Sequence, residues 1–332
     1  MKINVLVTGI GGGGHGEQIL KALQMSSLDL KIFGADMTEI SRGLHRVENK
    51  IILPPAKDSR YIEVLLEECK KHDIKVLFHG SEPELIRMSD NRDAIREAGI
   101  LLPINSKEVL DICMDKNKTM KFLKEKGIPF PKYFKINHIK DIEHINIFPV
   151  VLKPSKGGGG SSNTLIVQNK EELLFYSTFL LSQYDEFIAQ EYIGTPDSEF
   201  TVGVLSDMDG KIINSIAVHR MIEGSLGCRS KVPNFSGRKE LGEQLVISSG
   251  ISQGHIGKYK EVTEQCEKIS LALESKGPLN IQCRFVDNKV FVFEINPRYS
   301  GTTSFRAMVG LNEPEIMIKY HYLNEAIERF FS

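Results

Sequence analysis

The sequence predicts an α/β domain with a parallel sheet in its first third, followed by an α+β region in which antiparallel strands dominate. Two observations lead to this fold class. Short apolar runs alternate with helix-period patterns from residue 3 to residue 97, which is typical of parallel strands joined by crossover helices. After residue 148, runs of strand length follow one another across short turns, which is typical of antiparallel pairing.

The composition limits the class of protein before any motif is considered. The chain has 332 residues, with 42 lysines and arginines against 43 aspartates and glutamates, and its formal net charge is −1. At about 100 to 200 residues per domain, this length predicts two or three structural units with a cleft between them. A near-neutral chain has no long-range field that concentrates polyanions, so neither nucleic acid nor a membrane surface is expected as a partner.

The cysteines and the apolar segments indicate a compartment. Five cysteines form an odd set without a CxxC pair, which favours a reducing environment over a disulfide framework. The N-terminus lacks the apolar stretch of a signal peptide, and no uncharged run approaches the roughly 20 residues that span a bilayer. We therefore expect a cytoplasmic protein.

A glycine-rich loop over residues 9–16 follows the first predicted strand. Gly9, Gly11 and Gly14 satisfy GxGxxG, and Asp36 follows the second strand, as in a dinucleotide-binding fingerprint. Because single matches to this motif are common, the sequence favours a glycine turn that packs a helix against a strand, and an NAD-binding domain remains the alternative.

Two acidic residues are expected on the rim where parallel sheets bind ligands. Asp36 ends the second predicted strand, and Glu82 follows the third. Their carboxylates are suited to hold a substrate ammonium group. Helix capping and solvation of the sheet edge explain them equally well.

A second glycine-rich segment lies in the middle of the chain. A predicted strand over residues 148–154 carries Lys153 among apolar residues, and four glycines at 157–160 separate it from a return strand over residues 164–167. Free backbone amides above a lysine can fold over phosphate groups. The alternative is a flexible hairpin without a ligand, but a lysine in a buried strand is rarely left without a partner.

The most specific pattern is a β-hairpin near the C-terminal end. Its turn is predicted at residues 287–289, so that Val286 pairs with Val290. Counting back from that pair places Gln282 directly opposite Glu294.

The same register places Asn280 opposite Asn296, and period-2 alternation puts Gln282, Glu294 and Asn296 on one face. Amide and carboxylate oxygens are ligands that suit Mg²⁺. The strand then breaks into a loop of small residues that bears Arg298. The alternative is an exposed polar sheet face.

In this order along the chain, these features resemble the ATP-grasp superfamily, most closely the synthetase units of carbamoyl phosphate synthetase large chains and related amino-acid ligases. The resemblance is carried by Lys116, Lys153, the four glycines at 157–160, called the glycine flap below, and the pattern Gln…Glu-x-Asn-Pro-Arg-x-Ser that runs from Gln282 to Ser300. It covers nearly the whole chain and explains the first glycine loop without NAD. It implies a Rossmann-like domain over residues 1–112, an ATP-grasp small lobe with the flap over 113–188, and a large lobe with the metal site over 189–332.

The resemblance also implies a role for each matching residue. The ATP phosphates would contact Lys116, Lys153, Gly157, Gly158, Gly159, Gly160 and Ser161. The strand that binds adenine, chiefly through backbone groups, would be Gln190, Glu191, Tyr192 and Ile193, and the acid on the ribose side would be Glu199. Mg²⁺, or Mn²⁺ in its place, would be held by Gln282, Glu294 and Asn296. Arg298 would neutralise the transferring phosphoryl group, and Gln190 stands where family members often carry an acid.

The residues that bind the substrates are less clearly marked. The segment 219–231 combines glycines with Arg220 and Arg229, which would clamp a substrate carboxylate or lie on a solvated loop. The candidate substrate residues are Asp36, Glu82, Arg220, Arg229 and Ser300.

Three functions follow. The first is an ATP-dependent ligase that activates a small carboxylate as an acyl phosphate and joins it to an amine, releasing ADP and phosphate. The second is a carbamoyl-phosphate-synthetase-like subunit that phosphorylates bicarbonate or carbamate, and with one synthetase unit it would need a homodimer or a partner. The third is a non-catalytic nucleotide- or dinucleotide-binding module, which would bind NADH tightly without Mg²⁺-dependent affinity for ATP.

Overall fold

The computed structural model describes residues 2–157 and 161–326, so the flap glycines Gly158, Gly159 and Gly160 lie outside the described residues. The N-terminal part builds a parallel sheet in the order β3-β2-β1-β4. Its strands are β1 (Ile3–Val7), β2 (Leu30–Asp36), β3 (Asn49–Ile52) and β4 (Val76–Phe78). Its helices are α1 (His15–Gln24), α2 (Tyr61–Lys71), α3 (Glu82–Asp90) and α4 (Arg92–Glu97).

Strand β1 is buried on both faces. Leu6 packs in one apolar cluster with Leu65 of α2, while Val5 and Val7 pack in another with Ile19 of α1. This alternation is the arrangement that a continuous apolar strand predicts for a parallel sheet covered by helices.

The sequence pattern predicts one helix over residues 83–97, but the structure has two. Asn91 separates α3 from α4, and its side-chain amide donates to the carbonyl of Arg87 at 2.8 Å. A side chain that competes for backbone groups in this way favours a helix end.

Close packing explains only part of the first glycine loop. A Cβ atom on Gly16 would lie 2.5 Å from the carbonyl oxygen of Gly9, and one on Gly80, after β4, would lie 1.9 Å from that of Thr8. Helix α1 and the end of β4 therefore approach the end of β1 more closely than any side chain allows. This packing agrees with the helix-on-strand interpretation for Gly16, but a Cβ atom on Gly12 or Gly14 would meet no close neighbour.

The middle of the chain forms a four-stranded antiparallel sheet in the order β5-β8-β6-β7, covered by a helix. Its strands are β5 (Tyr133–Ile136), β6 (Val150–Pro154), β7 (Leu165–Val167) and β8 (Phe187–Glu191), and the helices of this part are α5 (Lys107–Cys113), α6 (Lys116–Glu125) and α7 (Lys170–Leu181). The domain boundary placed between residues 188 and 189 falls inside β8, which pairs with both β5 and β6. The hydrogen bonding therefore keeps all of β8 with the small sheet.

The last part forms a five-stranded antiparallel sheet in the order β13-β10-β9-β14-β15, with a hairpin of β11 and β12 beside it. The strands are β9 (Glu199–Ser206), β10 (Ile212–Arg220), β11 (Cys228–Pro233), β12 (Gln244–Ser248), β13 (Gly254–Gly257), β14 (Pro278–Val286) and β15 (Lys289–Asn296). The helices are α8 (Gly224–Gly227), α9 (Lys260–Ala272), α10 (Thr303–Met308) and α11 (Glu313–His321). Residues of α6 and α9 bury the apolar face of this sheet.

The C-terminal helices return to the N-terminal sheet. The amide of Asn312 donates to the carbonyl of Ala22 in α1 at 2.7 Å, and the Glu315 carboxylate accepts from the Ser27 hydroxyl at 2.7 Å. These contacts hold the glycine loop before α1 close to the loop that follows β15. Within the described ranges, no helix combines the length and the apolarity needed to cross a membrane.

The hairpin of β14 and β15 differs from the prediction at its turn. Asp287 and Asn288 form a two-residue turn with φ of 49° and 58°, so Val286 pairs with Lys289 and the predicted pairing with Val290 is wrong. Turns with two residues at positive φ match the twist of a hairpin, and Asp and Asn tolerate this conformation.

A β-bulge restores the register. Gln282 pairs with Glu294 while Cys283 pairs with Val292, so Phe293 is the extra residue. The error of one residue at the turn and the extra residue at the bulge cancel, and the predicted pairs farther along the hairpin, Gln282 with Glu294 among them, are confirmed.

Candidate active site

A cavity of about 740 Å³ lies between the four-stranded and the five-stranded sheets. Its lining includes Lys116, Lys153, Ser161, Gln190, Glu191, Tyr192, Ile193 and Glu199, together with Gln282 and Glu294. The structure thus brings most of the predicted nucleotide and metal residues to one cavity. Gly157 is not among the described residues that line this cavity, but its carbonyl accepts from Lys116 Nζ at 3.5 Å.

One end of the cavity has apolar walls, including Val151 and Tyr192. The Tyr192 hydroxyl accepts from the backbone N–H of Val246 at 2.8 Å and donates to its carbonyl at 3.2 Å. The Arg284 guanidinium lies 4.2 Å from the centre of the Tyr192 ring and donates to the Ile193 carbonyl at 2.9 Å. A rigid, flat, apolar slot of this kind suits a planar base.

The side chains of strand β8 are engaged by the protein itself. Gln190 Nε2 donates to the Met120 sulfur at 3.0 Å, and Glu191 pairs with Arg238 at 3.1 Å. This arrangement agrees with a strand that meets the base through backbone groups.

Glu199, expected on the ribose side, is the centre of a buried ion cluster that sequence reasoning missed. Its two carboxylate oxygens lie 3.1 Å from Arg220 and 3.4 Å from Arg284. Arg220 also donates to the Ser248 hydroxyl and to the Ser249 carbonyl, each at 2.9 Å. Both ends of the Arg220 guanidinium are thus occupied, so it cannot clamp a carboxylate with two parallel hydrogen bonds unless this cluster opens.

Lys153 lies at the other end of the cavity. It is buried, and its ammonium group donates to the carbonyl of the bulge residue Phe293 at 2.9 Å. The pKa of Lys153 is lowered to about 7, chiefly by burial, with Glu294 opposing the shift and Lys116 adding to it. The bulge therefore supplies a hydrogen-bond acceptor for a lysine that gains or loses its proton near neutral pH.

The same end carries the candidate metal ligands. Burial favours a higher pKa for Glu294, but Lys116, Lys153 and Arg298 outweigh burial and lower it, so this side chain is a carboxylate at neutral pH. Across the described chain, no group of three His, Cys, Asp or Glu side chains is placed to hold a metal. A metal here would depend on one carboxylate and on amide oxygens, a ligand set that suits Mg²⁺.

Asn296 completes this set. Its Oδ1 accepts from Arg298 at 3.0 Å, and its Nδ2 is buried with no hydrogen-bond partner in the part of the chain that the structure describes. A buried amide left half-satisfied is costly unless a ligand meets it. The free Nδ2 of Asn296 is suited to donate to a phosphate oxygen, while the side-chain oxygens of Gln282, Glu294 and Asn296 suit a hard cation once Asn296 Oδ1 is released from Arg298.

A larger cleft of about 1,910 Å³ opens between this hairpin and the N-terminal glycine loop. Three of the candidate substrate residues, Glu82, Arg220 and Ser300, line it. Arg298 also lines it and pairs with Glu82 at 2.8 Å.

The other two candidates are placed differently. Asp36 accepts from the backbone N–H groups of Gly11 and Met37, each at 2.7 Å, which is the role of a loop-capping residue. Arg229 is exposed on β11. Neither is among the residues that line the two cavities in the described ranges.

The pKa of Lys153 leads to a prediction on pH. Phosphate groups favour the ammonium form, so ATP binding raises this pKa, and above pH 7 the complex must take up a proton. The affinity for ATP is expected to fall by up to about tenfold per pH unit from pH 7 upward, with little change below it. Calorimetry in buffers of different ionisation enthalpy measures the proton uptake.

Lys153→Arg tests this prediction because arginine stays charged in proteins. This variant is expected to bind ATP without proton uptake, whereas Lys118→Arg, at an exposed position on α6, keeps it. Equal proton uptake by the wild type and Lys153→Arg would contradict the assignment.

The fold and the site together are typical of a nucleotide-binding enzyme, with a cavity between two sheets and an oxygen-rich hairpin at one end of it. Residues 113–302 match the family model of the ATP-grasp domain, and residues 5–103 match that of the PylC-like N-terminal domain. The chain belongs to the ATP-grasp family.

Curated relatives are similar in sequence. The chain is 28% identical over 240 residues to the C-terminal section of the carbamoyl phosphate synthase large chain of Aquifex aeolicus, covering 71% of this chain and 37% of the relative. It is 26% identical over 278 residues to the carbamoyl phosphate synthase large chain of Mesorhizobium japonicum, covering 78% and 23%. The chain thus spans well under half the length of these relatives.

Solved structures share the fold. N5-carboxyaminoimidazole synthetase from Staphylococcus aureus with ADP gives a TM-score of 0.68 at 14% identity, covering 99% of this chain and 80% of that one. D-alanine–D-alanine ligase from Bacillus anthracis with ATP gives 0.59 at 18%, covering 98% and 97%. The family and the fold class, both predicted from the sequence, are confirmed.

Proposed function

We propose that this chain phosphorylates a small carboxylate with Mg²⁺ and ATP, and that an amine then displaces the phosphate to form an amide. The observation that carries the proposal is that the two cavities share a wall. Gln282 and Glu294 line both the nucleotide cavity and the larger cleft. A triphosphate that points at this wall presents its terminal phosphorus to whatever occupies the cleft.

The charges at this wall suit the first step. A carboxylate oxygen attacks the γ-phosphorus and ADP leaves, so two anions must be brought together. Lys116, Lys153 and Arg298 supply positive charge around Glu294. Gln282, Glu294 and Asn296 would hold Mg²⁺, which would supply further positive charge to the phosphate oxygens.

The second step needs a dry site. The amine nitrogen attacks the acyl carbon, the carbon–oxygen bond to phosphate breaks, and the nitrogen loses a proton. Water would hydrolyse the acyl phosphate, so the glycine flap is proposed to close over it. Ser161, which follows the flap, donates to the Ser248 carbonyl at 2.9 Å and anchors that end to β12.

The cleft also offers opposite charges to the two substrates. Glu82 and Arg298 meet as an ion pair at its wall. We propose that Arg298 turns from Glu82 to the phosphoryl group. Glu82 is then free to hold the ammonium group of the amine.

A second candidate function is favoured by the relatives, which are carbamoyl phosphate synthase large chains. In this case the carboxylate is bicarbonate or carbamate, and a homodimer or a partner would supply the second synthetase unit.

A phosphate-release screen tests both candidates. Bicarbonate plus ammonia is compared with small carboxylates plus amino acids, each with ATP and with or without Mg²⁺. The expected result is phosphate release that needs Mg²⁺, a carboxylate and an amine. Release with bicarbonate and ammonia alone would select the second candidate. Tight NADH binding with no Mg²⁺-dependent affinity for ATP would contradict both and favour a binding module.

A further inference from the structure

A fully buried ion pair lies directly beneath the hairpin that carries the metal ligands. Arg306 and Glu313, both with no exposed surface, approach to 3.1 Å. Removing two charges from water offsets most of the attraction between them, so such a pair contributes little net stability. Arg306 makes one further contact: its Nη2 donates to Asn280 Oδ1 at 2.7 Å.

The neighbouring strand makes room for this contact. Gly203 on β9 pairs with Asn280 in the sheet, and a Cβ atom at position 203 would lie 2.3 Å from the guanidinium carbon of Arg306. The Thr201 hydroxyl supplies a second hydrogen bond to Asn280 Oδ1 at 2.9 Å. The chain therefore directs two donors at one amide oxygen.

These donors fix which way the amide points. A guanidinium group donates hydrogen bonds and cannot accept them, so the atom of Asn280 that faces Arg306 must be the oxygen. The amide nitrogen is then turned the other way. Asn280 lines the larger cleft, and no hydrogen bond among the described residues uses its Nδ2.

The position of Asn280 places the free Nδ2 donor near the proposed site of phosphoryl transfer. It precedes Gln282 by two residues on the same face of β14, so the two Cα atoms are about 7 Å apart. Gln282 and Glu294 form the wall between the nucleotide cavity and the cleft. A carboxylate that reaches the phosphate end of the cavity from the cleft passes the Asn280 amide.

We propose that Asn280 binds the carboxylate substrate, donating from Nδ2 to one of its oxygens, and that the Arg306–Glu313 pair is a positioning device that keeps the Asn280 amide in the donating orientation. This proposal rests on the proposed function, since it requires a carboxylate in the cleft. It assigns the carboxylate substrate to the side of the cleft nearest β14.

Asn280→Asp separates the structural role from the binding role. Aspartate can still accept from Arg306 and Thr201, so the thermal unfolding midpoint is expected to be unchanged or higher. It has no amide donor, and its charge repels a carboxylate. The probe is the carboxylate that gives the fastest phosphate release among acetate, bicarbonate and the twenty amino acids. For it, kcat/KM is expected to fall by about 10- to 100-fold, the range for a hydrogen bond to a charged group.

The matched control is Asn214→Asp on β10 of the same sheet. Asn214 is also buried and accepts from a backbone N–H, that of Ser215, through its Oδ1 at 2.8 Å. This variant receives the same charge change away from the cleft and is expected to keep the wild-type kcat/KM for the carboxylate. Asn280→Ala, which removes the donor without adding charge, is the second variant and is expected to lose about tenfold.

The positioning pair is tested by coupling. Arg306→Lys keeps a charge for Glu313 but no longer fixes the amide, so KM for the carboxylate is expected to rise while KM for ATP stays the same. Once Asn280→Asp has removed the donor, Arg306→Lys has nothing left to orient, and the double variant is expected to lose no more kcat/KM than Asn280→Asp alone. Additive losses would overturn the positioning role.

The outcomes separate this proposal from the proposed function. If wild-type phosphate release needs no carboxylate, the proposed function fails and the role of Asn280 falls with it. If release depends on a carboxylate and Asn280→Asp keeps the wild-type kcat/KM, only the role of Asn280 is overturned. The role of Asn280 would also be overturned if Asn280→Asp lost as much affinity for ADP, measured without Mg²⁺, as it lost in kcat/KM for the carboxylate. That result would indicate a damaged hairpin.

Discussion

Replacing Glu294 with glutamine is expected to lower kcat by about 10²- to 10³-fold, the usual cost of removing one preorganised electrostatic group from an active site. Glu294 is the carboxylate of the proposed metal set, and its charge is balanced by Lys116, Lys153 and Arg298. Glutamine keeps the size of the side chain but removes the charge that holds a divalent cation. Phosphate release titrated with Mg²⁺ measures the effect as a loss of both kcat and the Mg²⁺ dependence.

The control for this prediction is Glu264→Gln, the same substitution at an exposed position on α9. It is expected to change kcat by less than about twofold, as surface substitutions usually do. A Glu294→Gln variant that keeps wild-type kcat and the wild-type Mg²⁺ dependence would show that the metal is held elsewhere.

Arg298→Ala is expected to lower kcat by about 10²- to 10³-fold while the affinity for ATP stays close to that of the wild type. Arg298 lines the cleft on the substrate side and is held there by Glu82 at 2.8 Å and by Asn296 Oδ1 at 3.0 Å. In the proposed mechanism Arg298 turns from Glu82 to the phosphoryl group in transfer. Steady-state phosphate release gives kcat, and calorimetry with ADP and with a non-hydrolysable ATP analogue gives the affinity.

Arg96→Ala is the matched control, because Arg96 is exposed and pairs only with Asp93 among the contacts of the described chain. It is expected to leave kcat unchanged within about twofold. Equal activity in Arg298→Ala and the wild type would refute the role of Arg298. A parallel loss of ADP affinity would move its role from the reaction to nucleotide binding.

The hairpin shows what a sequence pattern can and cannot predict. Counting back from the turn places Gln282 opposite Glu294, which is correct only because two errors of one residue cancel. The turn has two residues where three are predicted, and the bulge at Phe293, which has no sequence signature of its own, restores the register. The bulge matters for the site, since the Phe293 carbonyl accepts from Lys153.

Sequence reasoning missed the contacts between residues that are distant along the chain. Glu199 is 85 residues from Arg284 and 21 from Arg220, and no local pattern joins them. The Arg306 contact with Asn280 is equally hidden. The one available signal was Gly203 inside a strand, which often marks the close approach of another group.

The N-terminal glycine loop illustrates the opposite case. GxGxxG and Asp36 match a dinucleotide fingerprint, but the structure uses Gly16 for close packing and Asp36 to cap the loop at Gly11. A motif that specifies backbone geometry is compatible with more than one ligand and also with none. Side chains that carry charge, such as those of the hairpin, discriminate better between functions.

The most direct test is a crystal structure with a non-hydrolysable ATP analogue and Mn²⁺, with anomalous scattering used to locate the metal. We expect an anomalous peak bounded by Gln282, Glu294 and Asn296, with the base between β8 and β12 and the terminal phosphate at the larger cleft. A peak remote from these three side chains, or a nucleotide seated in the glycine loop before α1, would contradict this expectation.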